Sequence, residues 1–207
     1  MALANTGHAD QALTLCDGLV PAAAATGNPW AHGDALLALG MAQAETDPTS
    51  AVATFRECVE LFRHSGMPSM ETGTYLSLAG VEVATGDHRP ALDHLRDATR
   101  AYVDAGDFSS LTWPLALISA VLMFCDLPEP AATIAGFATT PLTLAAFPQF
   151  AAAVEQLPHT LGVKDFDRPS QQGRSMPRPK MVAYALQAIE EARTRLDQPD
   201  PAQRMPQ

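Results

Sequence analysis

The chain has 207 residues, a formal net charge of −10 at pH 7, 47% hydrophobic residues and only 6% aromatic ones. That length supports one or two domains with a continuous core, and no apolar run reaches the roughly 18 residues needed to span a bilayer. Residues 1–10 carry neither the basic nor the apolar stretch of an export signal, so the expectation is a cytoplasmic protein with no membrane partner.

Ala12, Ala51, Ala91 and Ala131 follow one another at spacings of 39, 40 and 40 residues. Around them an apolar rhythm returns at +4, +7, +8 and +11. It reads Cys16, Leu19, Val20, Ala23 in the first copy and Phe55, Cys58, Val59, Phe62 in the second; the third gives Leu95, Ala98, Thr99, Tyr102. Steps of three and four residues place these side chains on one stripe of an α-helix. A fixed period near 40 predicts stacked helical hairpins, each unable to bury its apolar face alone. The expected fold is all-α, with about seven to ten helices by one helix per periodic segment. Its architecture is expected to be a right-handed α-solenoid of tetratricopeptide-like hairpins with a C-terminal capping helix.

In chain order, the first unit holds only its second helix, because Met1–Thr6 leave no room for the first. Such a unit is uncapped, so apolar side chains within 9–25 are expected to stay partly exposed, and the chain reads as part of a longer protein. The Gly27-Asn28-Pro29 break opens a helix over about Trp30–Glu45, and Thr46-Asp47-Pro48-Thr49 turns into one over about Ser50–His64. The third unit repeats this as Ser69–Thr85 and Arg89–Ala105, and the fourth as Ser109–Cys125 and a shorter Pro130–Phe137. Gly27, Gly66 and Gly106 end their helices, where glycine permits the left-handed cap. Gly40, Gly80 and Ala120 share one register, and a small residue there lets the second helix of the hairpin come close. Phe55, Val59, Phe62, Leu76 and Leu95 are the expected core.

Beyond Phe137 the rhythm stops. Thr139-Thr140-Pro141 is a break, and Pro148 opens a helix to about Leu161 that Pro158 bends or shortens. A short segment around Lys164–Gln172 then leads to a last helix, about Pro179–Leu196, whose stripe is Met181, Ala185, Ala188, Ile189 and Ala192. The organisation read from this is a helical-repeat region over 1–137, a helical cap over 138–197 and a disordered tail over 198–207.

Charge is uneven along the chain. Residues 1–163 hold 5 basic and 17 acidic side chains, whereas residues 164–207 hold 8 basic and 6 acidic. An acidic repeat region repels phosphates, so no direct nucleic-acid partner is expected. The basic excess around Lys164, Arg168, Arg174, Arg178 and Lys180 reads as a solvated loop lying against the acidic repeats.

No catalytic, cofactor-binding or metal-binding residue can be assigned from the sequence. His88 and His94 with Asp87, Asp93 and Asp97 form the densest polar cluster, but six residues between the histidines put them on different helix faces. Asp93 with Arg96 and Asp97 with Arg100 are i,i+3 neighbours, which describes a solvated helix face. His64 is a favourable charge at a helix C-terminus. Cys16, Cys58 and Cys125 fall within helical apolar patterns and read as buried, reduced thiols. Neither GxxxxGK[ST] nor GxGxxG is present, and there is no GxSxG or CxxC.

Two phrases, Ala25-Thr26-Gly27-Asn28-Pro29-Trp30-Ala31 and Gly86-Asp87-His88-Arg89-Pro90-Ala91-Leu92, carry a family resemblance together with a closing pattern. That pattern is Leu161-Gly162, Phe166, Gly173-Arg174-Ser175-Met176 and Val182-Ala183-Tyr184-Ala185-Leu186. Over most of residues 7–190 the chain resembles the C-terminal helical region of large actinobacterial regulators of the LuxR type or the adenylate-cyclase-like type, which have a central STAND-class ATPase. The resemblance implies a short Phe-containing helix followed by an apolar one at the end. Thr139–Phe147 departs from the pattern, being shorter than the family's linker helix. No residue matches the ATPase, cyclase or helix-turn-helix motifs, so ATP and DNA binding are not carried over.

The reading of function is therefore a non-enzymatic helical-repeat sensor or scaffold module of a larger signal-transduction or transcriptional regulator, with no cofactor. Its partner is a protein segment, a small effector or its own upstream ATPase domain, with self-association possible. The alternative is a free-standing, peptide-binding tetratricopeptide-like adaptor.

Overall fold

A computed structural model describes residues 9–16 and 18–198. The expected tail over 198–207 falls outside these apart from Gln198, as do Met1–Thr6. Twelve helices and no strand are present among the described residues, so the chain is all-α.

The helices group into two compact units, Met1–Gly86 and Asp87–Gln207. The first contains α1 (Ala9–Cys16), α2 (Leu19–Ala25), α3 (Pro29–Gln43), α4 (Pro48–His64) and α5 (Pro68–Thr85). The second contains α6 (His88–Asp104), α7 (Thr112–Phe124), α8 (Pro128–Ala138), α9 (Pro141–Ala146), α10 (Pro148–Leu161), α11 (Val163–Ser175) and α12 (Arg178–Leu196). Six of these begin on a proline: Pro29, Pro48, Pro68, Pro128, Pro141 and Pro148. The fixed φ of proline suits a first helical position, where its missing N–H would be unpaired in any case.

In the first unit α4 lies between α3 and α5, and α1 and α2 cover α3. Its core joins Leu36 and Leu37 of α3, Ala51, Phe55, Cys58 and Phe62 of α4, and Leu78 and Val81 of α5. Asn28 caps α3 by accepting from the Trp30 N–H at 3.0 Å, and Asp47 caps α4 through the Ser50 N–H at 3.1 Å. All five expected core residues are buried.

The first apolar stripe does not run through one helix. The chain turns at Gly18, with φ of 75°, and separates α1 from α2. In an unbroken helix Pro21 would sit in the interior and its ring would strike the carbonyl four residues back. The break places Pro21 in the first turn of α2 instead. Leu15 and Leu19 are left exposed, at 68% and 42%, as expected for residues 9–25. Gly27, Gly66 and Gly106 all take the left-handed conformation expected of them.

Gly40 meets its expectation, while Gly80 does not. A Cβ on Gly40 would lie 2.6 Å from the Phe55 ring of α4, whereas nothing lies within 4 Å of a Cβ on Gly80.

In the second unit α7 is apolar all round and buried along most of its length, between α6, α8 and α10. Thr140 and Thr143 cap α9 reciprocally, a short helix not expected from the sequence. Lys164–Gln172 corrects the solvated-loop reading, because it is helical within α11 despite Pro169. Two glycines explain this. A Cβ on Gly173 would overlap the Thr133 carbonyl of α8, and one on Gly136 of α8 would overlap the Ser170 carbonyl. Backbone-to-backbone contact with α8 outweighs the poor helix propensity of the segment. The α1/α2 break, α9 and α11 raise the nine helices placed along the sequence to the twelve observed.

Candidate interaction surfaces

The face of α6 that reads as solvated is partly covered by α12. The last helix docks on α6, α7 and α8 through Met181, Ala185, Ala188, Ile189 and Ala192, all buried as the stripe predicts. Asp93 of α6 is the hub. Its carboxylate accepts from Arg89 at 3.3 Å and from Arg96 at 3.1 Å, and it forms an ion pair, without a hydrogen bond, with the Arg193 guanidinium of α12 at 3.2 Å, while Arg193 donates to Glu190 of its own helix at 2.9 Å. Arg89 also reaches Asp197 at 3.2 Å, and Arg96 bonds Asp97 at 2.9 Å. The expected Asp93–Arg96 pair is thus present as one arm of a larger network.

At the C-terminal end of α7, Asp126 takes a φ of 54°, a left-handed conformation that few residues other than glycine adopt. Arg195 of α12 donates to the Cys125 carbonyl at 3.4 Å and to the Asp126 carbonyl. A guanidinium here satisfies carbonyls that α7 leaves unpaired and meets the negative end of its dipole.

His88 opens α6. Its ring stacks on Phe124 at a centroid distance of 4.7 Å, and its buried Nδ1 has no hydrogen-bond partner. Burial pushes its pKa below the usual histidine value, against the opposing pull of Asp87. No group of three or more His, Cys, Asp or Glu side chains among the described residues converges as a metal site requires.

The basic residues at 164–180 are dispersed. Arg168 pairs with Glu129 at 3.0 Å, and Arg178 lines an open hollow of about 290 Å³ with Phe108 and Pro179. In the first unit, Arg63 at the end of α4 ties to Glu71 at 3.1 Å and to the Tyr75 hydroxyl at 2.6 Å on α5. His64 places Nδ1 2.7 Å from the Glu60 carbonyl oxygen, in the last turn of α4. Glu82 of α5 is the one buried charged residue among those described, with the Arg56 guanidinium 3.6 Å away on α4.

All three cysteines are buried and free. Burial pushes the Cys58 and Cys125 thiols up to about 11. Cys58 sits 3.3 Å from the Gly33 carbonyl oxygen, so it behaves as a core residue rather than a nucleophile. Trp30 is the exposed aromatic of the first unit, and Phe108 and Phe124 are those of the second.

Sequence reasoning missed the parts played by Arg89, Arg193, Arg195 and Asp197. The available signal was the arginine-rich last turn of α12 and the aspartates of α6, but pairing them needs a three-dimensional contact. Comparison with protein-family models, with curated proteins and with solved structures finds no match.

Proposed function

We propose that the chain is a helical interaction module, a right-handed solenoid of tetratricopeptide-like hairpins that acts as the sensor or scaffold region of a larger regulator. The observation that carries this reading is the burial of equivalent positions at the sequence period. Ala12, Ala51, Ala91 and Ala131 are all buried, and so are Cys16, Phe55, Leu95 and Ala135 four residues after each. Hairpins built on one register present surfaces made of helix faces and turns, and such surfaces bind protein segments or small effectors. The acidic character of residues 1–163 disfavours nucleic acid as the direct partner. The resemblance of 161–186 to the closing pattern of STAND-class regulators supplies the larger context.

Tagging the gene at its 3′ end in the source organism tests this. A tagged product far larger than this chain, yielding peptides of a Walker A sequence on digestion, supports the regulator. A product of this chain's own size overturns it in favour of a free-standing adaptor.

A further inference from the structure

The two ends of α12 are held by different forces. Its large buried side chains, Met181 and Ile189, lie in the first two-thirds of the helix, where Tyr184 also approaches the Thr133 hydroxyl at 3.5 Å. Beyond Ile189 only Ala192 is buried, which contributes a single methyl group to the core. The last turn is secured by charge: Arg193 on Asp93, Asp197 on Arg89, and Arg195 on the α7 terminal carbonyls.

We propose that α12 is a charge-latched strap, closed over the α6–α7 end by these contacts and opening from its C-terminal turn as ionic strength rises. Single exposed ion pairs contribute little, but here one carboxylate holds three guanidinium groups, and a network differs from an isolated pair. Asp93 is 36% exposed and Arg193 21%, so the pair is partly shielded at low salt yet remains reachable by ions. Without the Asp93 carboxylate, Arg96 keeps Asp97 and Arg193 keeps Glu190 of its own helix, so the ion pair left joining α6 to the end of α12 is Arg89 with Asp197. The latch then loses the carboxylate that ties Arg193 to α6.

Amide hydrogen exchange on the full chain tests the strap, read for residues 190–196 at about 0.05 M and about 1 M NaCl, where the screening length falls to roughly 3 Å. The wild type should exchange about tenfold faster in this segment at high salt, while amides of α7 do not change. Asp93→Asn should exchange fast at both salt concentrations. No salt effect in the wild type would overturn the proposal, because apolar contact alone then holds the turn. An equal rise in α7 would also overturn it, because the unit then opens as a whole. If Asp93→Asn does not fold, the wild-type salt comparison still decides the matter.

Discussion

Phe55 fills the notch that Gly40 leaves on the facing helix: a Cβ on Gly40 would stand 2.6 Å from the ring. Two turns away the same arrangement recurs, with the Phe62 ring occupying the space beside Gly33. Gly33 and Gly40 on α3 meet Phe62 and Phe55 on α4 in opposite order, which defines an antiparallel register held by rings set into glycine gaps. Moving either helix by a turn would drive both rings into side chains.

Gly40→Ala and Gly80→Ala should therefore change stability in opposite directions. Overpacking against Phe55 should destabilise the first unit by about 1–3 kcal/mol. At Gly80 a methyl meets no neighbour, and replacing a helix-interior glycine should stabilise by up to about 1 kcal/mol. Phe55→Ala should cost about 3–5 kcal/mol if its site cannot collapse. In that background Gly40→Ala should lose most of its penalty, since the two residues share one volume. Denaturant midpoints of the four variants check the pattern, and an unchanged Phe55→Ala midpoint would contradict the register.

Gly173→Ala should be more damaging than Gly40→Ala. The added methyl would meet the Thr133 backbone carbonyl, which has no rotamer to escape into. The cost should reach at least the upper end of about 1–3 kcal/mol. Limited proteolysis provides the readout: cleavage should appear within α11 while α7 stays resistant.

The second unit should lose stability as pH falls through the histidine range. His88 has a lowered pKa in the folded chain because burial penalises its charged form. The unfolded chain binds the proton at about 6.5. Unfolding therefore takes up a proton below that pH, and the stability present above it is lost as pH drops toward the folded value. His88→Phe, which keeps a ring against Phe124, should flatten this dependence between about pH 5 and 7.5. Equal slopes for the two proteins would rule out His88 as the source.

The thiols should be silent in the native chain. With Cys58 and Cys125 pushed up to about 11, a thiol reagent at neutral pH should leave both unlabelled. Denaturation should then expose all three cysteines. Rapid native labelling of Cys58 would mean that α3 and α4 part locally.

Periodicity alone determined that the chain is helical, where most helices lie, and which faces are buried, including all five stripe residues of α12. That information is local, because a 3.6-residue repeat shows which side of a helix avoids water whatever it packs on. The α1/α2 break was also written in the sequence, as Pro21 preceded by Gly18, but it competes with an unbroken stripe and could not be weighed without geometry. Tertiary structure decided the rest. Close backbone contact with α8 at Gly136 and Gly173 seats α11, a helix of poor intrinsic propensity. Only the seating of Phe55 separates Gly40 from Gly80, two glycines at one register. Asp93 became a hub only because α12 returns about a hundred residues later in the chain to bring Arg193 beside it. Which charges meet across helices depends on distances that no spacing in the sequence encodes.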